Sequence, residues 1–405
     1  MRILFLAARL PTELLRGYEV RAFHQIRVLS EQHRITLAAY TSGRPATAAT
    51  RQLQEFCENV SVVRLHPVDM AVALLRRGLG GGLPLQVAMY TLPSMRRRLQ
   101  ELMCQEFDVV HVQTARLAHV FELARRAAKA AEPRRHTPCL IDLIDSLHLN
   151  MQRRSAVDRG ATRRAARFEA SRVARYEPAL CDRFDRVLVT SNVDFQTLGA
   201  QANVVVNPNG VVLNPTPCTG WVRQANRILF SGNLGYFPNV DAAIWFAHEV
   251  LPRVQREVPE ARFAIAGARP GRVVRALARL GSQVEVVGYV PDLMGEISRA
   301  SVAVAPLRAG SGQPLKVLEA MACGTPVVAS PHAIAGVAAE HERHLLVAQD
   351  AEGFAAMVVR LLRDTRLAER LALAARQLVA ERYSWETSVA QLASVYAEVC
   401  AGGSR

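Results

Sequence analysis

Lys316 and Glu319 stand three residues apart, just after a short loop containing Gly310, Ser311, Gly312 and Gln313. The surrounding stretch reads VAVAPLRAGSGQPLKVLEAMACGTPVVAS over residues 302–330. Pro314 stands where a helix begins, its preferred place. Lys316 then falls in the first helical turn, where the aligned peptide dipoles are positive and a cation is unfavourable unless an anion lies beside it. Loop amides, a helix N-terminus running from Leu315 and a lysine together describe a phosphate site, and Arg308 supplies a second cation before the loop. Glu319, one turn deeper, can accept hydrogen bonds from sugar hydroxyls. The same spacing also fits an ordinary surface ion pair. Composition leans towards phosphate: the chain has two lysines, Lys129 and Lys316, against 48 arginines, and a compact ammonium suits a phosphate as a point charge.

These residues need a frame. The pattern predicts a buried strand over 302–307, a helix over 315–323 ended by Gly324, and a strand over 325–330. Further strands are predicted at 3–8, 34–40, 60–65, 107–113, 139–144, 186–191 and 203–206. After a Pro/Asn/Gly-rich break they resume at 227–230, 261–268 and 284–289. Helical periodicity fills the intervals at 18–30, 46–59, 115–130, 149–181 and 238–254. Alternating strands and helices call for an α/β fold of two doubly wound parallel sheets. Ligands in such sheets bind beyond the carboxyl ends of the strands. That rule adds Gly17 after the first strand and His111 near the end of FDVVHVQ. It also adds Asp145 closing the fifth strand, and Gly232 and Asn233 in the loop SGNLG. Each has a structural alternative, a turn glycine or a core histidine. Asp142 and Asp145 face opposite ways on a strand and make no catalytic pair.

The expected domains are 1–206, a linker over 207–222 (NPNGVVLNPTPCTG and beyond), 223–383, and a C-terminal helix from 384. A formal charge of +14 and a pI near 10.1 call for anionic partners. No zinc-finger spacing or aromatic RNA-binding motif is present, so nucleic acid is set aside. An anionic substrate and an anionic membrane surface remain. The segment 67–105 mixes apolar patches with Arg76-Arg77 and Arg96-Arg97-Arg98, which suits either a bilayer surface or a solvated basic face. Seven singly placed cysteines without a CxxC pair fit a reducing cytoplasm. No apolar run is long enough to span a membrane, and MRILFLAA reads as a first strand rather than a leader.

The chain resembles the family 4 glycosyltransferases of GT-B fold. The closest match is KVLEAMACGTPVVA (316–329), similar to the family's Lys-x-x-Glu-Ala-Met-Ala-x-Gly-x-Pro-Val-Val signature. NPNGV (207–211), FSGNLGYFPNVDAAIWFAHEVLP (230–252), FDVVHVQ (107–113) and YSW (383–385) resemble further family segments. The stretch from Gly82 to Tyr90, the Asp-x-x-Asp-Ser element at 142–146 and PNVDA resemble bacterial sugar transferases of exopolysaccharide and exosortase systems.

The resemblance implies a retaining, metal-independent, cofactor-free transferase that moves a sugar from a nucleotide diphosphate donor. Its acceptor would be a glycan or lipid-linked molecule, and its place the cytoplasm or the inner face of the plasma membrane. By position, Glu319 binds ribose, and Lys316 with the backbone around Gly312, Gln313, Pro314 and Leu315 holds the diphosphate. Gly232, Asn233 and Gly17 lie near the diphosphate, His111 near the donor sugar, and Asp145 and Arg21 on the acceptor side. The last helix would cross back to the first domain. Two departures stand out. Ser311 occupies a position where the family often has glutamate, and Asn233 and Pro238-Asn239 occupy places where it often has Arg and Lys. A GT-B nucleotide-sugar epimerase and a non-catalytic sugar-nucleotide binder are the alternatives.

Overall fold

The buried apolar runs pair into two all-parallel sheets in the computed structural model, which describes residues 1–12, 16–43, 47–131, 136–213 and 223–402. The first holds β1 (Arg2–Ala7), β2 (Arg34–Thr41), β3 (Asn59–Arg64), β4 (Val109–Gln113), β5 (Cys139–Ile144), β6 (Arg186–Val189) and β7 (Val204–Val206), in the order β3-β2-β1-β4-β5-β6-β7. The second holds β8 (Arg227–Ser231), β9 (Arg262–Ala266), β10 (Val284–Gly288), β11 (Val302–Ala305), β12 (Val327–Ala329) and β13 (Leu346–Val347), in the order β10-β9-β8-β11-β12-β13. In each sheet the order reverses beside the first strand, β1 or β8, which creates the crevice that ligands use.

The sheets belong to two units. One is Met1–Asn207 with the stretch from Val389; the other is Pro208–Ser388. The chain therefore passes between units at 207/208 and again inside the helix Trp385–Gly402. The expected linker is narrower than its composition suggests. The Val211 amide donates to the Tyr383 carbonyl at 2.8 Å, and Val211 bridges Ser384, so 208–211 is built into the second unit. A Cβ on Gly210 would lie 2.5 Å from the Trp385 Cα, so only glycine lets these two segments meet. The rest of that expectation, 214–222, lies outside the described residues.

Strand alternation decides burial in the first unit. Leu4, Leu6, Val110 and Val112 point into one core, and Ile3, Phe5 and Val109 into the other. Val389, Leu392, Val395, Tyr396 and Val399 of the last helix complete the second core. Some expected helices are interrupted. The run 149–181 divides into Leu147–Val157, Gly160–Tyr176 and Pro178–Cys181, with Gly160 in the left-handed region at φ 59°. The run from 238 is Phe237–Trp245, a π-helical turn Phe246–Val250, and Leu251–Glu257. Pro252 lacks the donor and its ring crowds the carbonyl one turn back, which widens the coil there.

Two expected site residues turn out to belong to this core. His111 sits mid-strand in register with Phe5, not at the sheet edge, and is fully buried. Its ring stacks on Phe5 at 4.3 Å, and its Nδ1 lies 2.7 Å from the Tyr396 hydroxyl. Arg21 is equally buried. Its Nε donates to Asp142 Oδ2 at 2.7 Å and its Nη2 to Asn207 Oδ1 at 2.7 Å. Side chains without accessible surface touch no ligand, so His111 near the donor sugar and Arg21 near the acceptor are both corrected. Together they tie the last helix and the end of the first unit to its sheet.

Burial holds the His111 imidazole down to about 4. An unfolded histidine titrates near 6.5, so below that pH the unfolded chain gains a proton that the folded chain refuses. Stability contributed by the neutral ring is present above about 6.5 and is lost as pH falls towards 4. Urea unfolding of the wild type is expected to lose on the order of 3 kcal/mol more than His111→Gln over that window. Parallel pH profiles for the two proteins would refute this burial effect.

Candidate nucleotide-sugar site

In the second unit the carboxyl ends of β9, β8 and β11 lie side by side. The loop after β8 is pinned to the one after β9: the Gly232 amide donates to the Ala266 carbonyl at 3.0 Å and Leu234 to Ala268 at 2.8 Å. The loop after β11 leads into the helix Leu315–Ala322, whose start at Pro314 has no side-chain cap. The Val317 amide donates to the Pro314 carbonyl at 3.2 Å, and no side chain caps the turn before it. Gly310 approaches Pro238, so these loops and that helix end gather in one place.

Lys316 is the centre of this gathering. It is partly exposed, and among the described residues it forms no ion pair. Its Nζ donates to Asn239 Oδ1 at 2.5 Å and lies 4.7 Å from the centroid of the Phe230 ring. Burial lowers its ammonium to about 8, with Glu319 one turn on working the other way. The Glu319 carboxyl is raised by burial and lowered by Lys316. Asn239 also donates from Nδ2 to the Asn233 carbonyl at 2.9 Å, so one amide joins the lysine to the loop after β8. Gly232, at φ 150°, lies under both groups. A Cβ there would come within 3.0 Å of Lys316 Nζ and 2.9 Å of Asn239 Nδ2.

Other expected ligands divide into two sets. Gly232, Asn233, Gly310, Ser311, Gly312, Pro314 and Leu315 surround Lys316 in the loops and helix start, and Glu319 follows. Gln313 does not face a ligand. It is buried, its Oε1 accepts from the Asn209 amide at 2.7 Å, and its Nε2 donates to the Gly336 carbonyl at 2.8 Å. It anchors the loop instead. Arg308 is committed too, in a bidentate pair with Asp241 at 2.6 and 3.0 Å beside the Trp245 ring. Lys316 is left as the uncompensated cation of the site.

In the first unit, Gly17 opens the helix Gly17–Leu29 at the end of β1 and is exposed. Asp145 follows β5 and is partly exposed, beside buried Glu177 and Asp194. Burial pushes the Glu177 carboxyl up to about 7 and that of Asp194 to about 6. Two residues at this edge had drawn no attention. Gln113 ends β4 and its Nε2 donates to the Tyr18 carbonyl at 2.9 Å, while its Oε1 is buried without a partner. Thr114 has an unpartnered buried hydroxyl, and both it and Ile144 hold φ at 69°. Non-glycine residues in that region store strain of the kind found at functional edges. The only sequence signal for them was their place at the ends of strands.

With this geometry in view, residues 225–364 match the family model described as Glycosyl transferases group 1. That match lies within the second unit and covers about a third of the chain. A phosphatidyl-myo-inositol mannosyltransferase of Mycobacterium leprae is 32% identical over 219 residues, 52% of this chain and 57% of that protein. The chain thus aligns with little more than half the length of that relative. Among solved structures, Anabaena Alr3699/HepE in complex with UDP and glucose superposes with a TM-score of 0.70 at 16% identity, covering 98% of this chain and 100% of that one. Sucrose-phosphate synthase from Thermosynechococcus elongatus does so with a TM-score of 0.70 at 17% identity, covering 99% and 100%. Those likenesses establish the GT-B fold of the chain.

Asn239 is expected to set the protonation of Lys316. With only two lysines, the chain allows competitive acetylation against pH to be read at the Lys316 peptide. The wild-type midpoint should fall near 8, and Asn239→Leu, which removes the amide oxygen that accepts from Nζ, should move it lower. A midpoint at lysine's ordinary value of about 10.4 would contradict the burial argument.

Proposed function

We propose that the chain is a retaining, metal-independent glycosyltransferase. In this reading it moves a sugar from a nucleoside diphosphate donor to a glycan or lipid-linked acceptor in cell-surface polysaccharide synthesis. The observation that carries the reading is the Lys316 ammonium, partly desolvated, with no contact ion pair among the described residues, and set at a helix start without a side-chain cap beneath glycine loops. A diphosphate supplies the missing charge to both the ammonium and the helix amides. Glu319 is suited to accept from the ribose hydroxyls. As the bond between sugar and diphosphate breaks, negative charge grows on the leaving oxygen. Lys316 stabilises that charge without a metal. The diphosphate takes the proton of the attacking acceptor hydroxyl on the same face of the sugar, which gives retention.

Similarity to proteins named phosphatidyl-myo-inositol mannosyltransferase, and to Anabaena Alr3699/HepE, solved with UDP and with UDP-glucose, supports this substrate class. A lipid-linked acceptor also gives the chain a reason to work at an anionic membrane surface. No helix among the described residues is long and apolar enough to cross one.

Assay with UDP- and GDP-sugars and lipid-linked acceptors tests the reading. Lys316→Ala should lower kcat by on the order of a hundred-fold, the scale of one lost charge-stabilising donor. Glu319→Ala should act chiefly on donor KM. Unimpaired transfer by both variants would overturn the assignment.

Diphosphate binding should also take up a proton at and above pH 8. Free Lys316 titrates near 8 and the bound anion raises it. Affinity is then highest below about pH 8 and falls as pH rises through it. Calorimetry in buffers of different ionisation enthalpy reads this directly, and binding without proton exchange at pH 8.5 would exclude Lys316 as the diphosphate ligand.

A further inference from the structure

The segment after β3 carries an apolar stripe that the first unit leaves uncovered. The helix Pro67–Ala73 continues as a π-helical turn, Leu74–Leu79. Met70, Ala73 and Gly78 turn inward. Val68, Val72, Leu75 and Leu79 turn outward, exposed by 73, 44, 61 and 56%. Their spacing of four, three and four residues keeps them on one face. A helix with apolar residues on both faces has a second partner to meet.

The stripe continues onto the neighbouring helix Gly160–Tyr176. Arg172 stacks on Phe168, with its guanidinium 4.2 Å from the ring centroid. The same guanidinium donates to the Gly78 carbonyl and, at 2.9 Å, to the Leu83 carbonyl. Phe168, itself 44% exposed, is thereby held beside the end of the stripe.

Charge around the patch is mostly positive. Arg76 is exposed next to Leu75, and Arg164 and Arg175 share the face of Phe168, one turn before and two turns after it. Arg163 and Arg167 are exposed beside them. From Met70 to Gln100 the sequence has five arginines and no acidic residue. On the second helix Glu169 is buried and accepts from the Leu85 and Gln86 amides. Asp69 is the one carboxylate of the first helix.

We propose that Val68, Val72, Leu75, Leu79 and Phe168 form a docking surface that lies in the headgroup region of an anionic lipid bilayer, with Arg76, Arg164 and Arg175 against the lipid phosphates. Apolar side chains at the depth of the acyl boundary and arginines at its rim are the arrangement such helices use. A second copy of the chain is the poorer occupant, since two patches with the same positive rim repel. This surface gives the membrane reading under Proposed function its residues, but its test needs no sugar transfer.

The probe is a set of vesicles made of equal parts phosphatidylcholine and phosphatidylglycerol, spun down at low salt without nucleotide. The wild type should sediment with them and stay in solution with pure phosphatidylcholine. Leu75→Asp with Leu79→Asp should weaken binding by at least about ten-fold. Because both side chains are exposed, the melting temperature and the thermal shift given by a nucleoside diphosphate should stay at wild-type values. Arg164→Gln with Arg175→Gln should weaken binding to anionic vesicles and flatten its salt dependence. A wild type that ignores anionic vesicles, or an aspartate variant that binds them equally well, would overturn the proposal. So would a wild-type dimer that the aspartate variant breaks, which would make the patch a self-interface. A missing nucleotide shift in otherwise vesicle-binding protein would count against the donor site alone.

Discussion

A cation held where the helix dipole opposes it is the constraint on which the second unit turns. Lys316 is partly buried, sits in the first turn of its helix, and has an amide oxygen rather than a carboxylate as its nearest acceptor. Each of these choices raises the free energy of the unliganded site. The surroundings make sense as the means of holding it there. Gly232 leaves room under the ammonium, Asn239 fixes its direction, and Gln313 fastens the following loop to Asn209. The site is preorganised for an anion, so little rearrangement is required when one binds.

The first unit solves a different problem with similar means. Its polar core places Arg21, Asp142, Gln25, Asn207 and His111 out of contact with water. Asp142 accepts from Arg21 Nε, from Gln25 at 3.1 Å and from the Ile144 amide at 3.1 Å. A buried carboxylate with three donors is tolerable, whereas one with none is not. The arrangement fixes Ile144 in its left-handed conformation at the very end of β5, beside Asp145. Interior electrostatics thus shape the edge of the sheet without any of these groups reaching a substrate.

Much of this frame was legible from the sequence because period and polarity are local. Parallel strands buried on both faces read as continuous apolar runs, and β1, β2, β4 and β5 fall within a residue or two of their expected limits. What local pattern could not supply was partnership. FDVVHVQ shows that His111 shares a face with Val109, but not that Tyr396, 285 residues later, covers that face. Gln313 reads as a loop ligand until Asn209, 104 residues earlier, is seen bonded to it. Asn239 was noticed only as a departure from a family pattern, and its bond to Lys316 spans 77 residues. The candidate site at the start of the helix Leu315–Ala322 was readable because loop, proline, lysine and carboxylate all lie within one short segment.

The two chain crossings, at 207/208 and 388/389, make the second unit an insertion within the first. During synthesis Pro208–Ser388 is complete before the ribosome has made the residues that close the first core. Val389, Leu392, Val395, Tyr396 and Val399 emerge only after the whole second unit. Until then the face of the seven-stranded sheet carrying Phe5 and His111 lacks its cover. The nascent chain therefore holds its second unit folded while the first waits with an open apolar surface. Removal of the stretch from Val389 onward would strike the amino-terminal unit and leave Pro208–Ser388 whole.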